Sequence, residues 1–235
     1  MTKFLSDVSI MAGFSLTENQ VTQLEQYKNL LIEWNKKMNL TAITEEKEII
    51  TKHFLDSFYG FKFLKGAKSL IDVGTGAGFP GLPLKIIAPD ISLTLLDSLN
   101  KRINFLTEVK NQLGLEDVTC IHSRAEDGGI VSSPLRESFD IATSRAVADL
   151  AVLSEYCLPY VKVGGTFLAY KGKDIDEELM NAENAIATLG GEVIGVFPYT
   201  IPSTDITHSI VAIKKIKPTP EKFPRLQGKI AKKPL

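Results

Sequence analysis

The stretch LIDVGTGAGFPGLPLKI, residues 70–86, constrains this chain more than any other. An apolar run ends at Val73, Gly74, Gly76 and Gly78 follow at once, and Pro80 and Gly81 lead into a segment with helical apolar spacing. Glycine turns this sharply without a Cβ penalty, and it lets backbone N–H groups approach a ligand lying over the strand's carboxyl end. A buried strand, a ligand-cradling loop and a helix are therefore predicted in immediate succession; the competing reading is a glycine loop that only turns. The spacing is G-x-G-x-G, not the G-x-G-x-x-G of pyrophosphate-binding loops, which weakens a nicotinamide or flavin reading without removing it.

One such unit cannot bury its strand alone, and the rest of the chain supplies companions. Apolar runs at 68–73, 92–97, 117–121, 139–143, 165–170, 193–197 and 209–215 read as strands. Helical stretches at 81–88, 100–113, 148–160 and 175–189 fall between most of them, the pattern of a parallel sheet covered on both faces. Only residues 198–208 separate the last two strands, so these pair as an antiparallel hairpin. Upstream, Val21, Leu24, Tyr27, Leu31, Trp34 and Met38 lie three or four apart on one helix face, and Thr17 with Gln20 forms a capping box. A second helix begins after Thr44, with Glu45, Glu46 and Glu48 near its positive end and Ile49, Ile50, Phe54, Phe58 and Phe61 inward. The predicted fold is α/β: a Rossmann-like, seven-stranded, mostly parallel sheet with an antiparallel last hairpin. An N-terminal helical cap spans 1–65, the sheet domain 66–216 and a basic tail 217–235.

The 235 residues, 44% hydrophobic and 23% charged, suffice for a full core. No apolar run is long enough to span a bilayer, and the amino terminus lacks an export signal. Cys120 and Cys157 sit in apolar segments, which suits buried thiols in a reducing cytoplasm and speaks against a disulfide or metal framework. The net charge of −1 conceals an uneven distribution: residues 214–235 hold eight basic side chains against one acid. Such a tail reads either as a phosphate-seeking arm or as a solvated end.

Two further strand ends carry suitable chemistry. Asp97, with Ser98 beside it, closes the second strand, where a carboxylate can accept two hydrogen bonds from a ribose diol. Its competing reading is a turn residue. The third strand is followed by HSRAED, residues 122–127, which places Ala125 and Glu126 to meet an adenine whose exocyclic amine needs an acceptor. Three successive strand ends thus describe an adenosine pocket.

Taken together, NLTAITEEKEIITKHFLDS (39–57), IDVGTGAGFPGLPLKI (71–86), LLDSLNKRINFL (95–106), SRAED (123–127), SRAVADL (144–150) and YKGK (170–173) resemble the ribosomal small-subunit guanine-N7 methyltransferases, once named glucose-inhibited division protein B. The likeness runs over about residues 20–215. It implies methyl transfer from S-adenosylmethionine to N7 of a guanine in 16S rRNA, with cofactor contacts at Gly74, Phe79, Ala125, Glu126 and Arg145. The implied partner is 16S rRNA or the small ribosomal subunit, with the target base unstacked, and the protein is expected to be a monomer.

Guanine N7 has a free lone pair and loses no proton on attack, so no general base is required, and no obvious Asp–His or Cys–His pair stands in the sequence. Methyltransferases acting on exocyclic amines carry an Asn/Asp-Pro-Pro-aromatic turn where this chain has SRAV, and cytosine C5 methylation needs a reactive cysteine. Arg145, directly after the fourth strand, is expected on the methionine carboxylate or the target nucleotide. His53, Arg124, Lys171 and Lys173 are candidates for the rim, and Lys101 and Arg102 for phosphate. Competing readings are a small-molecule methyltransferase, a non-catalytic nucleotide- or RNA-binding protein, and a nicotinamide-dependent reductase.

Overall fold

Strand β1, Ser69–Val73, is buried on both faces, as the middle strand of a parallel sheet must be. The computed structural model describes residues 2–226 and 228–235 and pairs β1 with β2 (Ser92–Asp97) and β4 (Phe139–Arg145). With β3 (Val118–His122), β5 (Val161–Lys171), β6 (Gly191–Thr200) and β7 (Thr207–Lys215), they form one sheet in the order β3-β2-β1-β4-β5-β7-β6. The first five strands run parallel, and β7 is antiparallel to both β5 and β6. This is the predicted α/β architecture, closing hairpin included.

The cap holds α1 (Thr2–Met11) and α2 (Glu18–Met38). Thr17 Oγ1 accepts from Gln20 N at 3.3 Å and Gln20 Oε1 from Thr17 N at 2.9 Å, the capping box legible in the sequence. The segments Glu46–Glu48, Ile49–Leu55 and Asp56–Phe58 then run on as one helix, α3, whose middle is π-wound. Such winding is rare and clusters at functional sites. Leu24, Leu31, Phe54 and Phe58 are fully buried in one cluster with Leu70, Leu93 and Leu168 of the sheet. Each is worth about 1.5–3 kcal/mol of burial, so cap and sheet share a core. Helices α4 (Gly81–Ile87) and α5 (Asn100–Gln112) complete this face. The short α6 (Ala125–Gly128) follows β3, and α7 (Leu150–Cys157) and α8 (Asp176–Thr188) cover the opposite face.

The segment after β7 is anchored to the sheet domain at a few buried points, Thr219, Phe223, Pro224 and Ile230, while its lysines from Lys217 onward stay exposed. Buried Lys215 donates to Leu158 O at 2.7 Å and pairs with Glu137 at 2.9 Å. Arg136 gathers Gly129 O, Phe223 O and Thr219 O at 2.6–2.8 Å. Arg225 clasps the fully buried Glu155 of α7, Nη2 to Oε2 at 2.6 Å and Nε to Oε1 at 3.0 Å. A final turn, α9 (Lys229–Lys232), buries Ile230. The partners lie about 70–90 residues upstream, so charge counting could not find them.

Removing one partner of a buried ion pair strands the other charge at a cost of about 3–5 kcal/mol. Because the Arg225 amide would still donate to Glu155 at 2.7 Å, Arg225→Ala should lose stability near the lower end of that range in urea unfolding. An unchanged midpoint would mean that the clasp is not formed.

Candidate functional site

The strand order reverses between β1 and β4, where open α/β sheets bind ligands beyond their carboxyl ends. A cavity of about 1030 Å³ opens there, between the sheet and the cap. Gly74 and Gly76 line it with φ of +71° and +61°. A Cβ on Gly76 would meet nothing within 4 Å, so bare backbone faces the opening. The loop's N–H groups are nonetheless mostly spent internally: Gly74 and Thr75 donate to Leu96 O at 2.8 and 3.1 Å, and Gly76 donates to Asp97 Oδ2 at 2.9 Å. Gly76 therefore makes room more than it donates, whereas a Cβ on Gly74 would stand 2.8 Å from Val147 Cγ2, so that glycine serves close packing. Gly78 does not line the cavity. It turns toward α2, where a Cβ would stand 2.6 Å from the Tyr27 hydroxyl.

At the sheet end, Asp97 is buried and accepts from Gly76 N, from Leu99 N at 2.9 Å and from Arg102 Nη1 at 3.1 Å. Three donors on about four acceptor sites leave space for one hydroxyl, not the free carboxylate that the sequence suggests. Ser98 and Arg102 line the cavity beside it. Lys101 does not; its ammonium reaches Met38 O, at the carboxyl end of α2, at 3.3 Å. Across the opening, Tyr160 Oη donates to Ala125 O at 2.6 Å and fixes the turn that carries Glu126. The Glu126 carboxylate is almost buried and lines the cavity. It accepts no hydrogen bond among the described residues, and Arg124 Nη1 stands 3.6 Å away. A carboxylate met only by the Arg124 guanidinium, beside a backbone-lined slot, has acceptor capacity for the exocyclic amine of an adenine.

The cap end is built around a carboxylate that the sequence analysis missed. Asp56 Oδ2 accepts from Arg145 Nη1 at 2.5 Å, and its Oδ1 meets Tyr199 Oη at 2.8 Å and His208 Nδ1 at 2.7 Å. Burial pushes this carboxyl up, but His208, Arg145 and Tyr199 outweigh it and hold it below the usual range. Arg145 also donates from Nη2 to His53 Nδ1 at 3.1 Å. That bond leaves His53 its proton on Nε2, which faces Thr41 Oγ1 at 2.9 Å. The imidazole stacks on Phe79, ring centroids 4.3 Å apart, with the Arg145 guanidinium over the same ring at 5.2 Å. Burial, then the Arg145 charge, push His53 down to about 3, so it is neutral at physiological pH. Lys171 lines the wall, donating to Ala148 O at 2.9 Å and paired with Glu178, whereas Lys173 is exposed and off the cavity.

The structure therefore brings twelve of the sequence candidates to one cavity and leaves Gly78, Lys101 and Lys173 outside it. It also supplies an Asp56–His208 pair, against the expectation of none; 152 positions separate the two residues, and no local pattern joins them. Cys157 is fully buried and Cys120 largely so, and burial raises both thiols, which removes them as nucleophiles. Among the described residues no group of three His, Cys, Asp or Glu side chains could hold a metal ion, and no helix is long and apolar enough to cross a membrane.

Several solved structures share this architecture. M. jannaschii TYW2 in complex with AdoMet aligns with a TM-score of 0.55 at 13% identity, over 69% of this chain and 76% of that one. A 16S rRNA adenine-N1 methyltransferase variant from Catenulisporales acidiphilia aligns with a TM-score of 0.53 at 16% identity, over 69% and 92%. At such identities the likeness shows the fold alone. Among sequences, ribosomal RNA small subunit methyltransferase G of Clostridium perfringens (strain 13 / Type A) is 57% identical over 225 residues, 95% of this chain and 94% of its own. The protein of that name from Clostridium botulinum (strain Eklund 17B / Type B) is 54% identical over 237 residues, 100% and 97% of the two chains. The model of rRNA small subunit methyltransferase G matches residues 20–204, and the chain belongs to that family.

The His53 environment has a measurable consequence. With the folded pKa near 3 and an unfolded value near 6.5, the unfolded chain takes the proton first, so this contribution to stability is complete above about pH 6.5 and is lost as pH falls toward 3. By pH 5 the loss amounts to about 2 kcal/mol. His53→Gln should flatten the stability profile between pH 7 and 5 by that amount in denaturant titrations, and parallel profiles would show an imidazole that titrates normally.

Proposed function

We infer that this chain transfers a methyl group to N7 of a guanine in 16S rRNA, acting as a cytoplasmic monomer on the rRNA or the small ribosomal subunit. As a member of its family it is an S-adenosylmethionine-dependent rRNA methyltransferase. S-adenosylmethionine supplies, when bound, a methyl carried on a sulfonium. The observation that carries the N7 reading is the state of the cap end. His53 is neutral with its Nδ1 lone pair taken by Arg145, and Asp56 is a weak base engaged by three donors. Groups so committed orient a base well and remove protons badly, which suits a nitrogen that attacks with a lone pair it already has.

At the sheet end, Gly76 clears the floor for the cofactor, Asp97 with Ser98 meets a ribose hydroxyl, and Ala125 and Glu126 face the adenine. Phe79 supplies an apolar ring beneath His53 and Arg145. Arg145, fixed by Asp56, can offer its guanidinium to the methionine carboxylate or to the guanine. Arg102, Arg124 and Lys171 are cations of the cavity wall available to RNA phosphate or to the target nucleotide. Such contacts position the substrate without reading its sequence.

The Asp56–His208 pair supports a second reading, in which His208 takes a proton from an exocyclic guanine amine. Product chemistry separates the two. N7-methylguanine in 16S rRNA permits strand scission after borohydride and aniline, whereas an amine-methylated guanine does not. Labelled methyl from S-adenosylmethionine should enter 16S rRNA from cells lacking this protein, and the labelled site should cleave. His208→Gln should keep turnover within about tenfold, since no proton is removed. Arg145→Ala should lower kcat/KM by about a hundredfold or more, the size of a lost charged positioning contact. Label at a site that resists scission, with turnover abolished in His208→Gln, would replace N7 by the amine.

A further inference from the structure

We propose that the turn at residues 228–232 forms the outer wall of the adenosine half of the cavity and sets how tightly S-adenosylmethionine and its demethylated product are held. The proposal rests on the reading of the cavity given above and adds a segment that lies wholly beyond the family match, which ends at residue 204.

Gly228 and Ala231, three positions apart on the turn of α9, line the cavity together with Ala125, Glu126 and Tyr156. Between them Ile230 points the other way and is fully buried, while Lys229 and Lys232 are exposed. The turn therefore has an anchored side, a solvent side and a cavity side. On the cavity side stand the two smallest residue types, as a thin wall against a flat heterocycle requires. Glu126 offers its buried acceptor beside this wall, and Tyr156 completes the cage with an aromatic ring.

The wall is held in place. Arg225 clasps Glu155, the residue next to Tyr156, so the same helix α7 carries one cavity wall and fastens the other. Arg225 Nη1 also donates to Lys233 O at 2.9 Å, which ties the segment across α9. Pro224 packs against Gly129, just after the Glu126 turn, where a Cβ on that glycine would approach it to 3.3 Å. Of the tail's basic side chains Arg225 serves the anchoring, the lysines stay exposed, and the cavity wall itself is a glycine and an alanine.

The test is calorimetric titration of the full chain with S-adenosylhomocysteine, comparing the parent with Ala231→Trp. An indole at position 231 should intrude on the ring's space and raise Kd about tenfold or more, with an unchanged melting temperature. Equal affinity in a folded Ala231→Trp chain would overturn the proposal while leaving the methyltransferase reading intact. A parent chain that does not bind S-adenosylhomocysteine at all would overturn that reading instead. Hydrogen exchange on the unmodified parent decides the matter even if the variant unfolds. Amides of residues 229–233 should gain protection when S-adenosylhomocysteine is added, and unaltered exchange there would overturn the proposal.

Discussion

The Arg145–Asp56 ion pair ties together three parts of the molecule at the cavity. Arg145 is the last residue of β4 and Asp56 belongs to α3 of the cap. His208 of β7 and Tyr199 of β6 meet the same carboxylate. A single charge taken out of water here would be costly; with three donors around it, it becomes a fixed point from which the cap helix, the central strand end and the hairpin take their positions. The same guanidinium reaches His53, so the tie that assembles the site also sets the protonation of its histidine.

Fixing charge in this way matters for the chemistry. S-adenosylmethionine, when bound, would supply a methyl on a positively charged sulfur, and Arg145 and Asp56, already aligned, would not need to reorganise as that charge moves. A titrating histidine on this cavity wall would carry a positive charge in part of the molecules. A neutral one stacked on Phe79 offers a polarisable plane and a fixed hydrogen-bond pattern instead. Orientation of this kind can supply roughly 7–11 kcal/mol of a two-reactant barrier, which leaves little for acid–base groups to do.

Much of this was legible in the sequence, for physical reasons that also explain what was not. The glycine loop, the capping box of α2 and the strand runs are local: their chemistry lies within a few residues, and periodicity or backbone conformation exposes it. Strand ends were legible as well, because parallel pairing sets Leu96 beside Val73 and His122 beside Asp97, so residues distant in the chain arrive together by topology. Asp56 was hidden since it sits among apolar residues of a π-wound turn, where a buried carboxylate looks like a break in the pattern. Gly78 misled for the opposite reason: it shares the motif's spacing, but its space is taken by Tyr27 and Leu82, so it serves packing. The direction of a side chain at a given motif position is decided by the neighbour across from it.

Buried ion pairs recur wherever a segment far along the chain must be placed against the cavity: Asp56 with Arg145, Glu155 with Arg225, Glu137 with Lys215. Apolar side chains of like volume often stabilise a core as well or better, because desolvating two charges consumes most of their attraction. What an apolar contact lacks is direction. A guanidinium fork on a carboxylate fixes distance and angle together, and a cavity shaped by one glycine and one alanine on a four-residue turn tolerates little displacement. Arg225 with Glu155 holds the C-terminal segment and Arg145 with Asp56 holds the cap, so two borders of the cavity are charge-fixed while its floor is fixed by the sheet.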